Sequence, residues 1–161
     1  MSPNPCPESA PHQTRVAQAW RWFAGLLTVF LAPHQAWADT GMKPLEMVQK
    51  VAEPYVVQGF DLRRQPFSGV FESSAPVLLR QQLYRGNEYW FWASSTLPPG
   101  ELKVEIFNDE GTSVAVESLN RGDTAGVRVL PKKTGTYTIR LIATEGSSPT
   151  GATWAMVYGY R

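Results

Sequence analysis

Leu102-Lys103-Val104-Glu105-Ile106-Phe107, followed by Asn108-Asp109-Glu110-Gly111, decides how the rest of the chain is read. Leu102, Val104 and Ile106 project to one side of an extended chain, and Lys103 and Glu105 to the other, so the segment is a strand with a core face and a water face. The four residues after it have hairpin-turn chemistry, with Gly111 free to take positive φ. The same period of two recurs outward in both directions. Tyr137, Ile139, Leu141 and Ala143 alternate with Thr136, Thr138 and Arg140, and Trp154, Met156, Tyr158 and Tyr160 alternate in a last strand. Upstream, Tyr89, Phe91 and Ala93 alternate with Trp90 and Trp92, and Leu79, Gln81 and Leu83 with Arg80 and Gln82. Val114/Val116 and Val127/Val129 mark two more strands, with turns at 85–88, 97–100, 120–123, 131–135 and 146–151. Short strands at regular spacing between Gly, Pro and Asn turns predict an all-β fold: an antiparallel, jelly-roll-like β-sandwich over residues 67–161.

Residues 39–66 read differently. Leu45, Val48, Ala52 and Tyr55 recur at three- and four-residue spacing, which places one apolar stripe on a short amphipathic helix. Thr40 is the expected N-cap, Pro44 fits the first turn, and Pro54 is expected to end the helix. A linker follows, with a short first strand expected at 69–72. Before Asp39 the chain has the three parts of an export signal: basic Arg15 and Arg21, an apolar run over 22–32, and Ala36-Trp37-Ala38 as a cleavage triad. Eleven apolar residues reach about 17 Å as a helix, far short of a hydrocarbon core of about 30 Å. The run is therefore expected to be a leader (1–38) rather than a membrane anchor. The expected location is the periplasm or the exterior, with no stable membrane insertion after cleavage.

Composition removes several classes of function. The 161 residues are 43% hydrophobic and 18% charged, with net charge +1. Arg15, Arg21 and Glu8 are the only charges before Asp39, which leaves 13 basic and 13 acidic residues from Asp39 onward. Nothing there attracts nucleic acid. Cys6, His12 and His34 are the chain's only cysteine and histidines, and all three lie in the leader. Residues 39–161 therefore offer no disulfide, no His- or Cys-based nucleophilic site and no His/Cys zinc site. Phosphate-cradling glycine motifs are missing from the sequence as well. No cofactor and no metal are expected. A carboxylate pair or a Ser-Lys dyad is the chemistry left to an enzyme of this composition.

Three segments in order carry a family resemblance. They are Leu83-Tyr84-Arg85-Gly86-Asn87-Glu88-Tyr89-Trp90-Phe91, then Leu102 to Gly111, then Gly135-Thr136-Tyr137-Thr138-Ile139-Arg140-Leu141. Together they resemble the bacterial pre-peptidase C-terminal domain, over about residues 67–161. That resemblance implies a jelly-roll β-sandwich and a non-catalytic module of exported proteins, some of which bind polymers. No peptidase precedes the matching stretch in these residues, so a stand-alone domain is expected, with an unidentified protein or polysaccharide as partner.

Trp90 and Trp92 are the first candidate ligand-binding residues, with Phe107 beside them as a third. If Tyr89 and Phe91 face the core, both indoles lie on an outer sheet face, where flat rings stack on sugars or pack a partner. The competing expectation is that the short helix lays its stripe across them, since such a helix needs an apolar surface to be stable. Asn108, Asp109, Glu110, Asn120 and Asp123 carry calcium-type oxygens, yet turn chemistry accounts for them without a metal. Arg63-Arg64 and Lys132-Lys133 read as solvated surface pairs. The sequence thus points to a non-catalytic binding or structural domain. A carbohydrate-binding module using the outer aromatics and a small carboxylate-based hydrolase stand as the alternatives.

Overall fold

The computed structural model describes residues 43–161, so the expected export signal, the expected cleavage triad and Thr40 lie outside the described residues. One helix, α1 (Pro44–Val57), precedes nine strands: β1 (Asp61–Leu62), β2 (Phe67–Val70), β3 (Val77–Leu83), β4 (Tyr89–Ser95), β5 (Leu102–Phe107), β6 (Ala115–Arg121), β7 (Thr124–Val129), β8 (Gly135–Ala143) and β9 (Thr153–Tyr160). They form two antiparallel sheets packed as a sandwich. The larger has six strands in the order β1-β9-β4-β7-β6, with β2 also pairing β9; the smaller is β3-β8-β5.

Alternation explains the layers. In β5 the pattern is the predicted one, with Leu102, Val104 and Ile106 buried and Lys103 exposed. In β4 all seven residues are buried, because its two faces meet different covers. Tyr89, Phe91 and Ala93 face the smaller sheet within one large core that includes Leu83, Ile106, Val127, Ile139 and Met156. Trp90 and Trp92 face away from it and join a second core with Val48, Ala52, Phe60, Ala155 and Val157. The molecule is thus three layers deep: helix, six-stranded sheet, three-stranded sheet.

Two glycines make the middle layer close. Register sets Trp92 opposite Gly126 on β7 and Trp90 opposite Gly159 on β9. The two indoles lie nearly parallel, 5° apart in plane and 5.8 Å between centroids, with Gly126 leaving room beside them and Gly159 leaving room for Leu62. A Cβ on Gly126 would stand 3.0 Å from the Phe91 carbonyl oxygen and 3.2 Å from Trp92 Cδ1.

The structure corrects several local expectations. Pro54 does not end α1, which runs on to Val57. Its missing N–H costs one bond with only a short stretch of helix left, and the following Tyr55 ring packs against Trp90 and Trp92 and holds the turn. The first strand of the sandwich proper is β2 at Phe67–Val70, two residues earlier than expected, and β1 within the supposed linker also joins the sheet through Asp61↔Tyr160 and Leu62↔Gly159. The β6–β7 turn sits one residue later than expected, where Gly122 takes φ 58°. A register shift between Ala115 and Glu117 leaves Val116 exposed.

Gly126→Ala should destabilise the protein by about 1–3 kcal/mol, the usual cost of overpacking, although alanine is ordinarily the better strand residue. Urea unfolding followed by circular dichroism checks it; an unchanged or raised midpoint would show that the indoles do not need the space.

Candidate functional site

The indoles of Trp90 and Trp92 are covered. The stripe on α1 puts Val48 and Ala52, both fully buried, over them, and Tyr55 brings its ring to 5.2 Å from Trp90 and 4.8 Å from Trp92. Phe60, just beyond the helix, meets Trp92 edge-on at 6.4 Å. Trp90 keeps 4% of its surface and Trp92 none, and the Trp92 Nε1–H is buried without a hydrogen-bond partner. A sugar stacking on these rings would need the space that the helix fills. The face that the sequence singled out is in this structure an internal, apolar layer.

Phe107 lies elsewhere. It sits on β5 in the smaller sheet, on the outer face of the sandwich remote from α1, so the three aromatics do not form one surface. Its ring is half-buried beneath the Arg140 guanidinium, 5.0 Å from the ring centroid. Arg140 also donates from Nε to Glu105 Oε2 at 2.9 Å, and Lys103 Nζ stands 2.7 Å from Glu105 Oε1. The hydrogen bond from Lys103 does most to hold the Glu105 carboxyl below its ordinary value; burial opposes it, and Arg140 adds to it. Around this group runs an open cleft of about 560 Å³ lined by Leu78, Arg80, Thr136 and Thr138, with Asn108 and Asp109 at one end. Asn108 Oδ1 is already committed, accepting the Glu110 and Thr112 N–H groups at 3.1 and 2.7 Å. Among the described residues no three His, Cys, Asp or Glu side chains come together in a way that could hold a metal.

A second cleft, of about 1040 Å³, opens beside β9. Residues 61–67, Gln81, Tyr158 and Tyr160 line it, and a smaller pocket of about 100 Å³ reaches past Tyr89 to Asn87 and Tyr84. Sequence reasoning missed this place. Tyr158 and Tyr160 registered only as the alternation of a last strand, and Arg63-Arg64 as a solvated pair. The one signal was two tyrosines at i and i+2, and it becomes meaningful only once β1 is known to pair with β9.

Glu88 ties the end of β9 to the sheet. It accepts from Arg128 Nη1 at 3.0 Å and from Arg161 Nε at 2.9 Å, while the backbones of residues 88 and 161 exchange two hydrogen bonds. Burial pushes the Glu88 carboxyl up, and the hydrogen bonds and charges of Arg128 and Arg161 outweigh it, so it titrates below its ordinary value.

A lowered carboxylate contributes stability above its unfolded pKa and loses it as pH falls through the folded one. Glu88→Gln should therefore cost about 1 kcal/mol at pH 7, in the range of charge-assisted hydrogen bonds near a surface. The gap to the parent should close as pH drops below the ordinary value of 4.5; a gap constant from pH 7 to pH 3 would mean the clamp is not ionic. Deleting residues 39–56 from the leaderless Trp154→Phe protein should red-shift tryptophan emission and cost several kcal/mol, since each large apolar side chain newly exposed is worth about 1.5–3 kcal/mol. Unchanged emission would show that α1 is not the cover.

Comparison with known protein families finds no family model that matches the chain, and a search of curated proteins finds no match either.

Proposed function

We propose that this chain is an exported, non-catalytic β-sandwich domain that acts by binding, in the cell envelope or outside the cell, and that it is of the pre-peptidase C-terminal kind. What lines its clefts carries the reading. The clefts of about 560 and 1040 Å³ each hold a single carboxylate, Asp109 in one and Asp61 in the other, and a third of about 480 Å³ holds Asp109 and Glu110, which are adjacent on one turn, with Glu110 paired to Lys133. Glycoside hydrolysis takes two carboxylates facing each other across the scissile bond, one of them with a raised pKa. Glu88 and Glu105 are both pushed toward the charged form and are both held by cations. Arginine, threonine, amide and aromatic side chains remain, which hold a ligand rather than cleave it.

The family assignment rests on the three sequence segments and on where they fall. The first bridges β3 and β4 through Gly86 at φ 97°, the second is β5 with its turn glycine Gly111 at φ 75°, and the third opens β8. Export rests on the leader.

Of the three candidate aromatics, Phe107 is the one that solvent reaches, which makes its cleft the first to test. The double substitution Phe107→Ala with Arg80→Ala should weaken retention on a polysaccharide array about tenfold or more, the worth of one stacked ring and one charged hydrogen bond, with the unfolding midpoint nearly unchanged. Turnover of any array glycan by the parent protein would overturn the non-catalytic reading.

A further inference from the structure

The edge of the larger sheet is interrupted at one place. β1 sets Leu62 opposite Gly159, and β2 sets Phe67 opposite Met156. β9 spends two residues between these pairs, Val157 and Tyr158, while the facing chain spends four, residues 63–66. The Arg63 N–H still reaches the Tyr158 carbonyl at 3.0 Å, and the surplus leaves the ladder. Pro66, with no N–H, cannot rejoin it. Extra residues at a sheet edge re-aim side chains, and here they face the cleft of about 1040 Å³.

The chemistry gathered there is specific. Arg63 and Arg64 form no ion pair among the described residues, whereas Glu88 and Glu105 between them engage Lys103, Arg128, Arg140 and Arg161. Behind the arginines stand phenols. Tyr158 is 5% exposed and Tyr89 3% exposed, and both touch the inner pocket. The Tyr89 hydroxyl accepts from the Tyr84 N–H at 3.0 Å and from Asn87 Nδ2 at 3.3 Å, which leaves its own proton to give. Tyr160 presents a half-buried ring with Arg63 5.9 Å above its centroid, and its hydroxyl donates to Asp61 at 3.4 Å. Phe67 adds a second ring, stacked at 22° to that of Tyr158, and Gln81 contributes an amide from the other sheet.

We infer that this cleft binds a carboxylate-bearing sugar unit of an acidic polysaccharide: Arg63 and Arg64 hold the carboxylate, Tyr160 and Phe67 face the ring, and Gln81 with the tyrosine hydroxyls takes the ring hydroxyls. A guanidinium fork matches a carboxylate in geometry as well as charge, and aromatic faces pack the apolar face of a pyranose. The inference rests on the proposed binding role and gives it a ligand class at a site separate from Phe107.

The test is isothermal titration of the purified protein with oligogalacturonate, neutral dextran and dextran sulfate at physiological salt. Oligogalacturonate should bind, neutral dextran should not, and dextran sulfate should bind more weakly. Arg63→Ala with Arg64→Ala should lower oligogalacturonate affinity about tenfold or more, and Arg63→Lys with Arg64→Lys should recover only part of it. Deleting Arg64 and Gln65 restores equal residue counts on the two strands, so it should remove binding while the unfolding midpoint holds or rises. Equal affinity for dextran sulfate, undiminished binding by the arginine variants, or no binding by the parent would each overturn the assignment. Binding lost in Phe107→Ala with Arg80→Ala, yet kept in the arginine variants, would overturn this site and leave the broader binding role standing.

Discussion

Strand β4 is apolar on both faces, and water has to be kept from both. Its inward residues need the three-stranded sheet, and its outward tryptophans need a cover that no strand supplies. That demand accounts for most of the architecture. It sets α1 against the six-stranded sheet, it recruits Phe60 and Tyr55 to the rim of the indoles, and it favours glycine at 126, where a side chain would press on Trp92. A strand buried on both faces is common in sheets wrapped by helices and unusual in a two-sheet sandwich. Here one helix is enough, because the six-stranded sheet presents only a narrow apolar strip on its outer side.

Charge is arranged around this interior rather than in it. Glu88, with Arg128 and Arg161, closes the end of the β4–β9 pair, and Glu105, with Lys103 and Arg140, crosses the open face of the smaller sheet. Each carboxylate is shared between two cations, a geometry that holds side chains in place more than it stabilises the fold. Arg63 and Arg64, like Arg80, Arg85 and Arg121, stand outside every ion pair among the described residues. With balanced charge from residue 39 onward, such local surpluses, rather than any overall field, decide which anions the surface attracts.

Much of the sandwich was legible because its strands carry their own period. Residues 102–107 and 135–143 announce an inner and an outer face without outside help, and the stripe from Leu45 to Tyr55 announces a helix that needs an apolar partner. What could not be read depends on register between distant segments. Nothing local at Asp61–Leu62 marks a strand; it becomes one because β9 offers an edge. Nothing local at Gly126 or Gly159 says that an indole lies opposite. Pro54 carries a breaker signal that tertiary packing of Tyr55 overrides. The candidate site divides along the same line. The outward projection of Trp90 and Trp92 follows from alternation alone, whereas the tyrosine cleft needs residues about a hundred positions apart to be brought side by side. Phe107 was grouped with the tryptophans because alternation assigns a face within a strand and cannot say which sheet the strand joins.

The position of β9 has a consequence for how the chain acquires its structure. It lies between β4 on one side and β1 and β2 on the other, so the larger sheet has no continuous middle until residues 153–160 are in place. A ribosome that has delivered α1 and the first eight strands has delivered a helix with half of its seat missing and a β4 with one neighbour. Local hairpins such as β6–β7 form early, but the pairings that join the two ends of the domain are long-range and late. The nascent domain is therefore slow to close. The chain becomes a closed, three-layered body only once its last strand has arrived.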